Sequence, residues 1–306
     1  MIQIKIIYRL SLALLLAASV IACGTDSSSS GGSSDNGGDG LSLRVTDAPA
    51  SFIDVKRLDI TFREVHLVNT DGKLIVIPTG ELANATIEIA GLQGTKTANL
   101  LENVDVPEGD YTELRLIVED PARIELIGGG TVDLEIPGGS SSGLKIKGDF
   151  MVADSKPTVL VIDFDLLRAI NVTGGPSPKY MMNPVLRLIK GNAFGHARGT
   201  IDGSLLVATS CSDMIDTTFN AVYVFKGHDV TPDDITNRNN DVDPFTTSKI
   251  VLEGGVFKYE AAFLPAGDYT IAFTCNADKE DLKTDDDLKF FGTKNITIKV
   301  NDTLFL

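Results

Sequence analysis

At 306 residues the chain can hold two domains of ordinary size, and with no Trp, 29 Gly and 43% hydrophobic residues its cores carry few large rings. The formal charge of −15 excludes a nucleic-acid binder, whose phosphate partner needs a basic face. It is compatible with cation binding or with simple solubility.

The chain opens on Lys5 and Arg9, followed by an apolar run from Leu10 to Ile21. That run has signal-peptide length and is too short to span a bilayer comfortably. Val20-Ile21-Ala22-Cys23-Gly24 follows and resembles the lipobox of bacterial lipoproteins. The alternative is an ordinary secretory signal with an incidental Cys. The resemblance implies export, cleavage before Cys23 and anchoring in the membrane through acyl chains on Cys23. Gly24, where an Asp would imply retention at the inner membrane, implies the bacterial outer membrane. All acidic residues follow Cys23, so the cleaved chain would carry 25 basic against 42 acidic residues, a charge of −17. Residues 24 to 40 are almost entirely Gly, Ser, Asp and Asn, which cannot bury surface. Residues 1–22 are thus expected to be a lipoprotein signal peptide, and 23–40 the lipidated Cys with a flexible tether.

From Leu41 the pattern is one of short strands. Leu41 to Val45 alternates and stops at Thr46-Asp47-Ala48-Pro49. Leu58, Ile60 and Phe62 share one face, and Val65 and Leu67 continue it after a slip of one residue, which predicts a bulge near Arg63-Glu64. Asn69-Thr70-Asp71-Gly72 turns the chain, so 56–78 reads as a hairpin. Thr86 to Ile89 is another strand, and Leu92 to Asn103 reads as a loop or a short helix. Arg123 to Ile127 and Thr131 to Ile136 flank Gly128-Gly129-Gly130 as a second hairpin. Leu144 to Lys147, the apolar run Val159 to Ile162, and Tyr180 to Ile189 complete the first half, with Pro184 placing the last strand near an edge.

Val106-Pro107-Glu108-Gly109-Asp110-Tyr111-Thr112 is echoed by Leu264-Pro265-Ala266-Gly267-Asp268-Tyr269-Thr270. Each copy leads into an alternating run. Pro presets a turn, Gly admits positive φ and the aromatic opens a strand. One reading is a recurrent loop-to-strand corner; the sharper one is two tandem β-rich domains that each carry it. The order Val45-Thr46-Asp47-Ala48-Pro49, the first corner, Gly143-Leu144-Lys145-Ile146, Asp163-Phe164-Asp165 and Asn183-Pro184-Val185 resembles the bacterial family catalogued as domain of unknown function 4382. The resemblance implies a boundary and a fold class over 41–190, and no activity.

Gly191 to Arg198 reads as a linker or first turn. Gly195 to Ile201 resembles the opening strand of prealbumin-like (carboxypeptidase regulatory-like) sandwiches, which implies a second domain over 191–306. Its strand candidates are Leu205 to Ala208, Ala221 to Phe225, Lys249 to Leu252, Val256 to Phe263, Tyr269 to Cys275 and Asn295 to Val300, with Glu253-Gly254-Gly255 as a hairpin turn. Many short strands broken by Gly and Pro imply an all-β chain of two tandem antiparallel β-sandwich domains.

With Cys23 assigned to lipid, Cys211 and Cys275 remain, and in an exported protein that even remainder reads as a disulfide; the alternatives are two free thiols or a redox pair, the wide spacing standing against the latter. His66, His196 and His228 have no zinc-ligand spacing, and no Ser sits in a Gly-x-Ser-x-Gly elbow. No catalytic set is therefore expected, and no cofactor is assigned other than calcium. Calcium ligands are carboxylate and amide oxygens gathered on flexible loops. Two loops have that composition: Asp233, Asp234, Asn237, Asn239, Asn240, Asp241 and Asp243 in one, and Asp278, Asp281, Asp285, Asp286 and Asp287 in the other. Neither has EF-hand spacing, and a solvated acidic surface is the alternative.

Asp163 and Asp165 point to one face of a strand and offer, with Asp47, a polar site for a cation or a sugar hydroxyl. Otherwise Asp165 caps the turn Leu166-Leu167-Arg168 and Asp163 accepts backbone donors. The expected function is that of a lipid-anchored, non-enzymatic envelope module, either a binding or adhesion module with a surface glycan or protein as ligand or a purely structural spacer. The alternative is a carbohydrate-binding accessory protein, which needs a groove with exposed Tyr or Phe beside carboxylates.

Overall fold

The computed structural model describes residues 40–306 apart from 49–54, 79–85, 154–155, 176, 192, 209–219 and 237–241. The expected signal peptide, Cys23 and the tether up to residue 39 therefore lie outside the described residues.

In the first half the strands are β1 (Leu41–Ala48), β2 (Val55–Asn69), β3 (Leu74–Pro78), β4 (Thr86–Glu88), β5 (Ala98–Val104), β6 (Gly109–Val118) and β7 (Ala122–Leu126). There follow β8 (Thr131–Glu135), β9 (Leu144–Val152), β10 (Thr158–Asp165), helix α1 (Leu166–Ala169), β11 (Ile170–Val172), β12 (Tyr180–Met182) and β13 (Leu186–Lys190). The remainder is β14 (Phe194–Ile201), helix α2 (Gly203–Ala208), β15 (Ala221–Lys226), β16 (Thr246–Glu253), β17 (Val256–Pro265), β18 (Gly267–Thr274), β19 (Phe291–Ile298) and β20 (Thr303–Phe305).

The protein is mostly β, and the described residues form three sheets. One has the order β13-β10-β1-β5, and a second has β11-β12-β8-β7-β2-β6-β9 with β3 and β4 also on β2. Every strand of the third, β19-β18-β15-β16-β17-β14-β20, comes from residues 194–305. The long strand β2 alternates as its sequence dictates, burying Leu58, Ile60 and Phe62 and then Val65 and Leu67. Its register against β6 shifts between Phe62 and Glu64, where the slip in the pattern predicts it.

Antiparallel pairing does not hold throughout. β1 pairs in parallel with β10, β12 with β8, and β14 with β20. The first of these explains the continuous apolar run at 159–162. β10 lies between β1 and β13, and its Leu160, Val161 and Ile162 are all buried.

Several expected elements differ in detail. Ala98–Val104, within the stretch read as loop or helix, is β5 and pairs with β1. Residues 205–208, read as a strand, belong to α2. The single strand expected over 180–189 is two strands in different sheets, separated at Asn183-Pro184-Val185. Pro184 lacks the N–H that would continue a ladder. His196, placed in a linker, sits in β14 with its ring against Phe194 and Phe263.

Both copies of the repeated corner fold alike. The Tyr111 hydroxyl donates to the Pro107 carbonyl at 2.6 Å and the Tyr269 hydroxyl to the Pro265 carbonyl at 2.8 Å. Gly109 and Gly267, with φ of 136° and 153°, supply backbone that other residues rarely adopt. The two tyrosines are buried, so each hydroxyl needs the partner the corner provides.

Gly37–Leu306 is one compact unit by its internal contacts. The strand β15 shows why. Val222 and Val224 join a cluster with Ala197, Ile271 and Ile296 inside the third sheet's half. Ala221, Tyr223 and Phe225 point the other way, into a cluster that also holds Leu43, Phe62 and Phe164 of the first two sheets. A strand apolar on both faces is buried on both. Hydrophobic burial is therefore continuous from residue 41 to residue 288.

Candidate cation site, buried acid pair and groove

The loop after β15 doubles back along β18. The Gly227 N–H donates to the Asp268 carbonyl and the Val230 N–H to Thr270 Oγ1. This path brings Asp233 and Asp234 to the segment that follows β18, beside the short 3-10 turn Ala277–Lys279. The two acidic loops read separately in the sequence therefore converge. Asp233, Asp234 and Asp285 form one group, and Asp234, Glu280 and Asp286 another, with ligand oxygens in each group all within 4.8 Å of one another.

Asp234 belongs to both groups and is only 1% exposed. Its Oδ2 accepts the Asp286 N–H, while its Oδ1 is buried with no hydrogen-bond partner. Glu280 is held by the Ile235 N–H at 2.8 Å on Oε1 and by the Tyr223 hydroxyl at 2.5 Å on Oε2. Burial pushes its carboxyl up to about 7, aided by the charges of Asp234 and Asp286 and opposed by those two hydrogen bonds. Burial likewise raises Asp234, although the Asp286 N–H acts against it. Of the other expected ligands, Asp243 accepts the Thr236 N–H at 2.9 Å and stands outside both groups. Asn237, Asn239 and Asp241 lie outside the described residues. Glu280 was missed in the sequence, because one Glu in an acidic run carries no local mark.

The second expected site is also brought together. β1 and β10 lie side by side, with Thr46 opposite Asp163 and Ala48 opposite Asp165. Asp165 caps α1, accepting the Arg168 N–H on Oδ1 and the Arg168 guanidinium on Oδ2. Asp163 pairs with Arg187 of β13, whose guanidinium also stacks 4.3 Å over Phe245. Asp47 is 1% exposed, and neither of its carboxylate oxygens has a hydrogen-bond partner. Burial, and then the charges of Asp163 and Asp165, hold its carboxyl well above the usual range. Asp47, Asp163 and Arg187 line a cavity of about 10 Å³ with Thr246 and Glu260, which has room for a water molecule and not for a sugar ring.

An open groove of about 600 Å³ crosses from the loop before β5 to the third sheet. Its walls include Gln93 and Lys96 on one side and Arg198, Lys249, Lys258, Tyr259 and Phe305 on the other. Glu260 fixes its end, accepting from the Thr95 N–H and hydroxyl and from Arg198. Lys258 pairs with Glu253, whereas Lys96 and Lys249 have no acidic partner among the described residues. Phe305 is 73% exposed. Nothing in the sequence pattern marked this surface, because its residues come from five separate elements.

Cys275 is buried just past β18. No two described residues form a disulfide. Cys211 and Cys23 both fall outside them.

Residues 40–184 match the family described as "Domain of unknown function (DUF4382)". No curated protein matches the chain. Among solved structures the chain is similar to the Bacillus anthracis TIE protein at 11% identity and a TM-score of 0.19, over 87% of this chain and 33% of that one. It therefore spans about a third of that protein's length. GBS52, the minor pilin of the gram-positive pathogen Streptococcus agalactiae, is similar at 11% identity and a TM-score of 0.19, over 87% of this chain and 93% of that one. Residues 40–184, the part of the chain similar to that family, hold β1 to β12 and the buried Asp47–Asp163 pair.

Proposed function

We propose that this is a lipid-anchored, non-enzymatic binding module of the bacterial outer membrane, and that the groove is its ligand site. The groove carries the reading. It is of ligand size, at about 600 Å³, and it offers two unpaired lysines on a chain of net charge −15. That local excess of positive charge suits an acidic surface glycan or an acidic protein segment. The lipobox-like Val20 to Gly24 supports anchoring through Cys23, and the Gly/Ser-rich stretch behind it would let the domain stand off the membrane. Export also supports pairing Cys211 with Cys275, a closure worth roughly 4 kcal/mol on the chain-entropy model. Mass spectrometry of non-reduced peptides checks that pairing.

The function is tested by screening the purified protein against acidic and neutral glycans and envelope proteins, with Lys96→Glu/Lys249→Glu beside it. Binding that falls with salt and is lost in the double variant supports the reading. Turnover of glycans, esters or peptides would overturn it.

A second reading is a carbohydrate-binding accessory role. It is favoured by the exposed ring of Phe305 in the same groove as Glu253 and Glu260. Phe305→Ala separates the two readings, since it weakens a stacked sugar more than a charge-held protein segment.

A further inference from the structure

We infer that Asp234, Glu280 and Asp286 hold one calcium ion, with Asp233 and Asp285 at its outer side. The inference stands apart from the groove and survives or fails without it.

Three carboxylates are gathered at the end of β18 from two segments that lie about 45 residues apart, as the Ile235–Glu280 hydrogen bond records. Among the described residues no Lys or Arg pairs with Asp234, Glu280 or Asp286, so the fold concentrates negative charge without supplying a counter-charge. The second observation is Asp234 itself, the residue common to both groups, which is 1% exposed and whose Oδ1 is buried without a partner. A buried anionic oxygen left unmatched is costly, and a coordinated cation removes that cost.

The dimensions fit. Calcium takes oxygen ligands at about 2.4 Å, so ligands on opposite sides of one ion stand about 4.8 Å apart. The oxygens of each group lie within 4.8 Å of one another. The carboxylates are also oriented in advance. Glu280 is fixed by Tyr223 and Ile235, Asp286 by Thr284 and the Asp281 N–H, and Asp234 by the Asp286 N–H. Each carboxylate oxygen accepts two partners, so one hydrogen bond leaves a lone pair for the ion. An irregular set of acids from two loops suits calcium; magnesium demands a near-ideal octahedron and keeps its waters.

Tyr223 supplies the probe. Its hydroxyl touches Glu280, and the chain has no Trp, so tyrosine excitation reports on this position. Terbium, a luminescent stand-in for calcium, is titrated into the purified full chain and then displaced with calcium or magnesium. We expect tyrosine-sensitised emission that calcium quenches at far lower concentration than magnesium. Asp234→Asn keeps the acceptor for the Asp286 N–H and should weaken calcium binding about tenfold or more by calorimetry. Glu280→Gln serves the same purpose should Asp234→Asn not fold. Tyr223→Phe should lose most of the sensitised emission while retaining calcium affinity. Asp278→Asn, outside both groups, should bind as the parent does. A melting temperature of the parent chain that rises with calcium and not with magnesium supports the site without any substitution. Absence of calcium uptake at millimolar concentration overturns the inference, as does unchanged affinity in Asp234→Asn or Glu280→Gln.

Discussion

The most legible residues are Tyr111 and Tyr269, because everything that gives them a role lies within four positions. The repeated Pro-x-Gly-Asp-Tyr sets the turn, the backbone conformation and the acceptor for the hydroxyl in one stretch. Tyr111→Phe and Tyr269→Phe should each cost about 1 kcal/mol in denaturant unfolding, the worth of one buried hydrogen bond. Equal losses would show that the two corners are energetic as well as geometric repeats. Asp47 was legible only as a neighbour of Asp163; its isolation depends on chain far away. Its carboxyl is raised by burial and by nearby acids, so folding favours the protonated form. That contribution is complete below the unfolded value of about 3.9 and is lost as pH rises through the folded value. Asp47→Asn, neutral at every pH, should therefore melt progressively higher than the parent as pH is raised from 4 to 8. A constant difference across that range would contradict the assignment. Glu280 was illegible for the converse reason: its partners Tyr223 and Ile235 are 57 and 45 residues away.

Among the elements, hairpins with a glycine turn were read from the sequence and the long-range pairs were not. β2–β3, β7–β8 and β16–β17 turn within a few residues, so alternation and turn chemistry suffice. β1 finds its parallel partner β10 more than a hundred residues on, and nothing local encodes which strand that is. β5 escaped notice because it is a short strand with three exposed polar positions, set by its place beside β1 rather than by its own pattern. α2 reads as a strand by composition, since Leu205, Leu206 and Val207 suit either state, and an apolar run that short cannot be assigned by period alone. α1 was recognisable by its cap. Asp165 accepts the Arg168 N–H and pairs with the Arg168 guanidinium, so Asp165→Ala should cost about 1 kcal/mol, while Asp165→Asn should recover part of it. Chemical denaturation of the three proteins compares them directly.

For the whole molecule, the decisive feature is the core shared by sheets from both halves of the chain. Tyr223 and Phe225 pack in the cluster of Phe62 and Phe164, and Arg168 reaches the Pro244 carbonyl. Calorimetry of the described unit should therefore give one endotherm whose calorimetric and van't Hoff enthalpies agree; two resolved transitions would show that the halves melt apart. The same feature separates two boundaries that are often taken as one. The family match ends at residue 184, two residues before β13 begins. A fragment stopped there would strip β10 of an edge partner and uncover the apolar side that Tyr223 and Phe225 now cover. Such a fragment carries a bare ladder beside a greasy face, the combination that invites strands of other copies to add on. The stretch the family match covers is thus shorter than the stretch whose apolar faces are covered, and a fragment spanning only 40–184 should self-associate more strongly than one carried through to Leu306.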